Sequence, residues 1–326
     1  MPKPRKPGPA SPETRHASPL PCSTRAEETG PPLASARWLL SLLLAVCGLA
    51  LVCVYGAVCL LYWQGQWQFS FPPPALSTKA ASSSHATPAP PHEDVGFDST
   101  DTGVLQLHGW WIPAAGGVHA VGTILFMHGG AESVAQLGGE LQALHSLGVN
   151  VFAFDYRGFG KSVPLHPSEA SVAEDVDAAW LYLTDRRHIA PGSIVMYGRR
   201  LGATIAAEAA LRHPRCAGLV LEAPRPPLLA RLRSRGLTRF LPLSMIFHDR
   251  FDPSAALAAA AVPKLFLSDG GGDSVDGSAP NPPLYYAEAA PPKISVTLKP
   301  ADRPSYSDPE YAAALDRFLR QHLPAD

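Results

Sequence analysis

Three short stretches of this sequence bring together residue types able to do chemistry. Tyr197-Gly198-Arg199-Arg200-Leu201-Gly202 ends an apolar run and opens a helical one, with glycines at both Gly198 and Gly202. That is the spacing of G-x-S-x-G, a tight strand-to-helix turn. Its glycines let two backbones approach without a Cβ clash, and its central residue is thrust forward as the nucleophile of acyl transfer. Here the central residue is Arg200. A guanidinium stays protonated at any biological pH and has no lone pair to give a carbonyl carbon, so it cannot form an acyl-enzyme. A second stretch, Asp155-Tyr156-Arg157-Gly158-Phe159-Gly160-Lys161-Ser162, contains a Gly-Lys-Ser triplet. A phosphate loop would need glycine five positions before Gly160, where Asp155 stands, so nucleotide binding by this route is excluded. The third stretch is His128-Gly129-Gly130, an imidazole beside a flexible turn.

These stretches sit at the ends of predicted strands. Short apolar runs at Thr123–His128, Val149–Asp155, Ser193–Tyr197, Gly218–Glu222, Lys264–Leu267 and Ile294–Leu298 read as strands, and Trp110-Trp111 ends an earlier one. Between them Val134–Leu147, Val172–Arg186, Leu201–His213 and Glu310–Leu323 have helical spacing. Strands alternating with helices give an α/β domain, a mostly parallel sheet with helices on both faces.

The three motifs, in this order and at this separation, resemble the α/β-hydrolase superfamily. The closer likeness is to its membrane-anchored Bem46-like and ABHD-type serine hydrolase branch, whose motifs read HGN, DYRGFGKS and GRSLGG. The resemblance covers about residues 103–323 and implies an α/β-hydrolase fold and a Ser-His-acid triad. Position by position the triad is degenerate. The nucleophile position is Arg200, the acid position after Lys264–Leu267 falls on Asp273 with Asp269 second, and the histidine turn reads Pro300-Ala301-Asp302-Arg303-Pro304, placing Arg303 near the base. The histidines that follow the elbow, His213, His248 and His322, occupy no triad position in chain order. The resemblance places the oxyanion hole at the N–H groups of Leu201 and of Gly130 or Ala131. It gives His128 and Arg199 packing and loop-supporting roles.

Two fates of Arg200 follow. At a helix N-terminus, with Arg303 nearby, it would hold a carboxylate, phosphate or lipid headgroup. Alternatively it folds onto Asp273 or Asp269 as an internal ion pair. The cap position, residues 225–250, carries Arg225, Arg231, Arg233, Arg235 and Arg239 interleaved with leucines, which predicts a solvated amphipathic helix able to meet anionic lipid.

The rest of the chain places the domain. Of 326 residues, 27 are Lys or Arg and 28 Asp or Glu. This near-zero balance excludes a basic nucleic-acid binder. Residues 1–35 hold nine prolines and read as a disordered tail. Residues 36–63 read as a transmembrane signal anchor: Trp38 to Trp63 carries no charge, and a helix of that length reaches roughly 39 Å across a core of about 30 Å. A buried helix would show a polar stripe, and a cleaved leader has a shorter apolar core and a small-residue cleavage site. Lys3, Arg5, Lys6, Arg15, Arg25 and Arg37 precede the span, whereas no charge follows it until Lys79. The tail is therefore expected in the cytoplasm and the domain on the exoplasmic side. Residues 64–98, rich in Pro and Ser, read as a spacer lifting residues 99–326 off the bilayer. Of the five cysteines, Cys22, Cys47, Cys53 and Cys59 precede residue 60 without zinc spacing and Cys216 stands alone in the domain, so neither a disulfide framework nor a metal site is expected. No cofactor is called for.

The sequence thus predicts a single-pass membrane protein with a non-catalytic hydrolase-like domain that binds or scaffolds, its partners being the bilayer and an anionic small molecule or lipid. A second reading keeps an active hydrolase of acyl esters, thioesters or lysophospholipids with a displaced nucleophile at Ser133, Ser162 or Ser274. A third makes the tail and spacer, rather than the pocket, the working parts of a membrane organiser.

Overall fold

Every residue of Thr123–Met127, Gly218–Glu222 and Lys264–Ser268 is buried, as strands covered on both faces must be. The computed structural model describes residues 35–72, 88–99, 106–115, 122–234, 236–268, 283–299 and 304–324. Within them a single sheet contains β1 (Glu93–Asp98), β2 (Gln106–Ile112), β3 (Thr123–Met127), β4 (Asn150–Asp155), β5 (Ile194–Arg199), β6 (Gly218–Glu222), β7 (Lys264–Ser268) and β8 (Lys293–Thr297). Their spatial order is β1-β2-β4-β3-β5-β6-β7-β8. β1 pairs with β2, and β2 with β4, antiparallel; the strands from β3 to β8 run parallel. This is the α/β-hydrolase fold that the motifs imply.

Helices cover both faces. α4 (Glu169–Leu181), α5 (Leu201–Arg212) and α8 (Ser254–Ala259) enclose one core around Phe152, Phe154, Trp180 and Leu257. On the other face α3 (Gly138–His145) and α9 (Pro309–His322) bury Leu141, Leu144, Tyr311, Leu315 and Phe318. Local chemistry sets the helix starts: Ser168 caps α4 by accepting the Ser171 N–H at 3.2 Å, and Asp308 caps α9 by accepting the Glu310 N–H at 2.9 Å, with Pro309 at its first turn. The helix expected from Val134 is instead a single 3₁₀ turn, Val134–Gln136, followed by α3.

The chain divides into two units, Met1–Val54 and Tyr55–Asp326. The described part of the first belongs to α1 (Ala36–Gln64), a helix long and apolar enough to cross a membrane and without a buried residue along its length. The expected tail, 1–35, lies outside the described residues apart from its last position.

Two expectations need correction. Residues 64–98 are not a uniform spacer. Trp67–Ser70 forms a short helix, α2, whose last residue Ser70 and the following Phe71 are buried in the domain, and Glu93–Asp98 is the edge strand β1, pointing Val95 and Phe97 into the core. Residues 73–87 lie outside the described residues. The aromatic residues that follow α1 explain the first departure, because Trp67, Phe69 and Phe71 gain more by burial than a proline-rich segment gains by solvation. Nor is the cap one solvated helix. It is two short helices, α6 (Leu228–Arg233) and α7 (Leu243–Ile246), separated by a 3₁₀ turn at Gly236–Phe240. Gly236 at φ 34° and Pro242 break the helical run. Leu228, Leu232, Leu243, Ile246 and Phe247 then close a small apolar core of their own.

Candidate functional site

The turn between β5 and α5 has the geometry its glycines predict. A Cβ on Gly198 would strike the Gly202 backbone, and one on Gly202 would strike the carbonyls of Met127 and His128. Only glycine fits at either place. Arg200, between them, has φ 55° and ψ −113°, a strained conformation for a residue with a side chain. It is held by its own N–H, which donates to the Glu222 carbonyl at 2.8 Å, and by its carbonyl, which accepts the Ala203 N–H at 3.1 Å. The fold therefore builds the presenting turn of an acyl-transfer enzyme and puts a half-buried guanidinium at its tip.

Arg200 forms no ion pair within 4 Å among the described residues, although its charge is felt by Glu132. Asp269, Asp273, Ser274 and Arg303 lie outside the described residues.

The neighbouring Arg199 carries the charge network of the site. Its Nη1 lies 3.1 Å from Glu132 Oε1 and 3.2 Å from Glu140 Oε1, and its Nε 3.6 Å from Glu222 Oε1. Glu132 also accepts the Gly129 N–H at 3.1 Å, which ties the oxyanion-equivalent turn to the elbow. Glu222 accepts the Tyr197 hydroxyl at 2.6 Å, and Tyr311 lies 2.8 Å from that hydroxyl. Burial penalises the Arg199 cation, but Glu222, Glu132 and Glu140 outweigh it and raise its pKa. Burial would raise the Glu132 carboxyl too; Arg199, the Gly129 N–H and Arg200 reverse this and hold it below its ordinary value. Burial beside Glu222 keeps the Tyr197 phenol protonated. Sequence reasoning missed this cluster. Its one signal was an acid, Glu222, ending an otherwise apolar strand that is buried on both faces.

His128 is fully buried. Its Nδ1 lies 2.6 Å from the Gly129 carbonyl and so carries the proton, and its ring packs 4.2 Å from Tyr156. Burial lowers its pKa, keeping it neutral, and Nε2 has no hydrogen-bond partner among the described residues. Among the described residues no hydroxyl engages it as a base.

Two of the serines weighed as displaced nucleophiles have structural duties. Ser162 is buried, donating to the Asp155 carbonyl at 2.6 Å and accepting the His108 N–H at 2.9 Å. Ser133 starts the 3₁₀ turn, its N–H donating to Gln136 Oε1 at 2.9 Å. Asp155 itself accepts the Val134 N–H at 2.8 Å, and Arg157 clamps the second motif by binding Asp175 at 2.7 Å, with Ser99 donating to the same carboxylate at 2.6 Å. These are loop-building contacts.

Gly130 is buried beside Leu201, whereas Ala131, the alternative position, is exposed. A Cβ on Gly130 would collide with the Ser70 carbonyl and come within 2.8 Å of the Leu201 side chain. The segment that brings Ser70 there is pinned by aromatic contacts: Trp67 stacks on His166 at 4.3 Å, Phe69 meets Phe247 edge-on at 5.5 Å, and Phe71 meets Phe159 at 5.7 Å and Phe251 at 5.5 Å. A cavity of about 860 Å³ lies elsewhere, lined by Phe97, Asp98, Glu174, Asp177, Tyr182 and Asp185, with no elbow residue in its wall. Among the described residues no group of His, Cys, Asp and Glu is arranged to hold a metal ion.

Three comparisons bear on this arrangement. A family model described as serine aminopeptidase, S33, matches residues 118–265. "Uncharacterized protein Rv2307c" of Mycobacterium tuberculosis is 30% identical over 276 residues, spanning 82% of this chain and 92% of that one. Alpha/beta hydrolase domain-containing protein 17C of Homo sapiens is 36% identical over 112 residues, 34% of this chain and 32% of its own. Among solved structures, an alpha-beta hydrolase from Vibrio vulnificus superposes with a TM-score of 0.56 at 17% identity, covering 79% of this chain and 90% of that one. The Pyrococcus furiosus esterase PF2001 gives 0.57 at 20% identity, covering 71% and 91%.

Proposed function

This chain belongs to the α/β-hydrolase superfamily, and we propose that within it the protein is a membrane-anchored binding or scaffolding member that performs no acyl transfer. The observation that carries the reading is the elbow: the backbone is strained into the presenting conformation at Arg200, and the residue presented is a permanent cation. Two further features support it. His128 is buried and neutral without a hydroxyl partner among the described residues, and the Ser70 carbonyl covers Gly130 where an oxyanion would sit. An oxyanion hole without nucleophile and base leaves only residual catalysis.

On this reading α1 anchors the chain. The basic tail is cytoplasmic and the domain exoplasmic, following the charge asymmetry across the span. An anionic small molecule or lipid headgroup is the ligand that Arg200 favours, since a cation at the start of a helix attracts negative charge.

Fluorophosphonate labelling of the purified full chain tests the reading. The expected result is no covalent adduct after an exposure that labels an active esterase to completion. An adduct mapped to any serine by peptide mass spectrometry overturns it and restores the hydrolase.

A further inference from the structure

The cap packs against the end of the apolar helix rather than standing free. Cys59 and Tyr62 of α1, with Phe69 of the segment that follows, lie against Leu228, Leu232, Leu243, Ile246 and Phe247, and the Tyr55 hydroxyl donates to the Phe240 carbonyl at 3.2 Å. The position of Tyr55 makes this contact informative. A membrane-spanning helix needs about 20 apolar residues, and any run of that length drawn from the charge-free stretch Trp38–Trp63 includes Tyr55. A segment bonded to Tyr55 is therefore held at bilayer depth whenever α1 is inserted.

On that segment two apolar side chains are turned outward while Leu241, Leu243 and Ile246 pack inward. Phe240 is 64% exposed and Met245 79%, although aromatic and thioether groups of this size are ordinarily covered. The charge pattern agrees: residues 223–248 carry five arginines and no carboxylate, and Arg233 is exposed. Outward apolar side chains flanked by arginines are the composition of a segment that lies in the headgroup layer of an anionic bilayer. The depth is limited as well. The 3₁₀ turn at Gly236–Phe240 has too little internal hydrogen bonding to enter hydrocarbon deeply. Insertion therefore stops at the interface, about 5–10 Å deep, and favours a register of α1 in which Tyr55 lies near the outer edge of the core.

We infer that the cap tip, Phe240 to Met245, is a membrane-inserted wedge that docks the domain face-down on the same bilayer α1 crosses. This rests on the anchoring reading above and adds to it that the elbow side of the domain faces lipid, so that the ligand of Arg200 arrives from the membrane. The domain is not held off the surface by a spacer.

The test uses the full chain with its native cysteines replaced, reconstituted in vesicles of phosphatidylcholine and phosphatidylglycerol containing a spin-labelled lipid quencher. Single cysteines carrying an environment-sensitive fluorophore are placed at Leu49, in the middle of α1, at Phe240 and Met245 in the cap, and at Gly192, an open position before β5 at the opposite end of the sheet from the elbow. The expected result is strong loss of emission at positions 49, 240 and 245 and none at 192. Quenching at 49 without quenching at 240 and 245 overturns the wedge and leaves the anchor standing. No quenching at 49 refutes the anchor itself, and the wedge with it. Restoration of native-like circular dichroism in each variant shows that the reporters sit on a folded domain.

Discussion

Two adjacent arginines divide the labour at the elbow, and their substitutions should behave oppositely. Arg199 pairs with three glutamates in a largely buried setting. Arg199→Ala leaves those carboxylates uncompensated and is expected to cost about 3–5 kcal/mol in urea unfolding. Arg199→Lys recovers only part of the loss, because an ammonium cannot fork between them. Arg200 pays a conformational penalty without a described ion pair, so Arg200→Gly, which relieves the φ of 55°, is expected to gain about 1 kcal/mol. Loss of stability on this change would mean that Arg200 holds a partner worth more than its strain. Arg200 was legible in the sequence because a motif fixed its place. Arg199's partners were not, since Glu132, Glu140 and Glu222 are scattered over 91 positions and only the folded sheet gathers them.

At the scale of elements, the segment after α1 and the α4–α5 pair are the parts whose removal should tell most. Phe71 is 1% exposed, wedged between Phe159 and Phe251. Phe71→Ala is expected to cost about 3–5 kcal/mol and to increase hydrogen exchange at Gly130, which the segment covers. Unchanged exchange there would contradict the covering role. Between α4 and α5, burial and the Glu169 carboxylate raise the Glu208 pKa from an ordinary 4.5 to about 7. The native state then holds a proton that the unfolded chain releases, so the contribution of Glu208 to stability is greatest below about pH 4.5 and declines as pH rises to about 7. Glu208→Gln should flatten this slope and add on the order of 1–3 kcal/mol at pH 8, measured by thermal or urea unfolding across that range. Strands β3 to β7 were legible because strands buried on both faces are continuous apolar runs. β1 was not, since Val95 and Phe97 are its only buried apolar residues and a proline-rich segment precedes them. The cap was misread because leucines interleaved with arginines suit a helix locally, while Gly236 and Pro242 break it and the end of α1 supplies the apolar partner.

For the molecule as a whole, the same sequence features describe two surfaces of opposite use. The sheet and its two helical layers form the rigid frame of a hydrolase, and the buried Arg157–Asp175–Ser99 cluster locks the second motif into that frame. The aromatic segment after α1 covers Gly130 at the mouth of that frame, and on the inference above the cap turns it toward lipid. The domain's lone cysteine fits this division: burial pushes the Cys216 thiol up to about 11, so it is expected to resist maleimide at neutral pH until the domain unfolds. Everything in this picture depends on the absence of acyl transfer at an elbow built for it. Turnover of p-nitrophenyl and thioester substrates by the full chain in lipid nanodiscs tests that claim most directly, measured beside Ser133→Ala, Ser162→Ala and Ser274→Ala variants. The account predicts rates equal to those of empty nanodiscs for all four proteins. Turnover above that background, abolished by one of the serine changes, would contradict it.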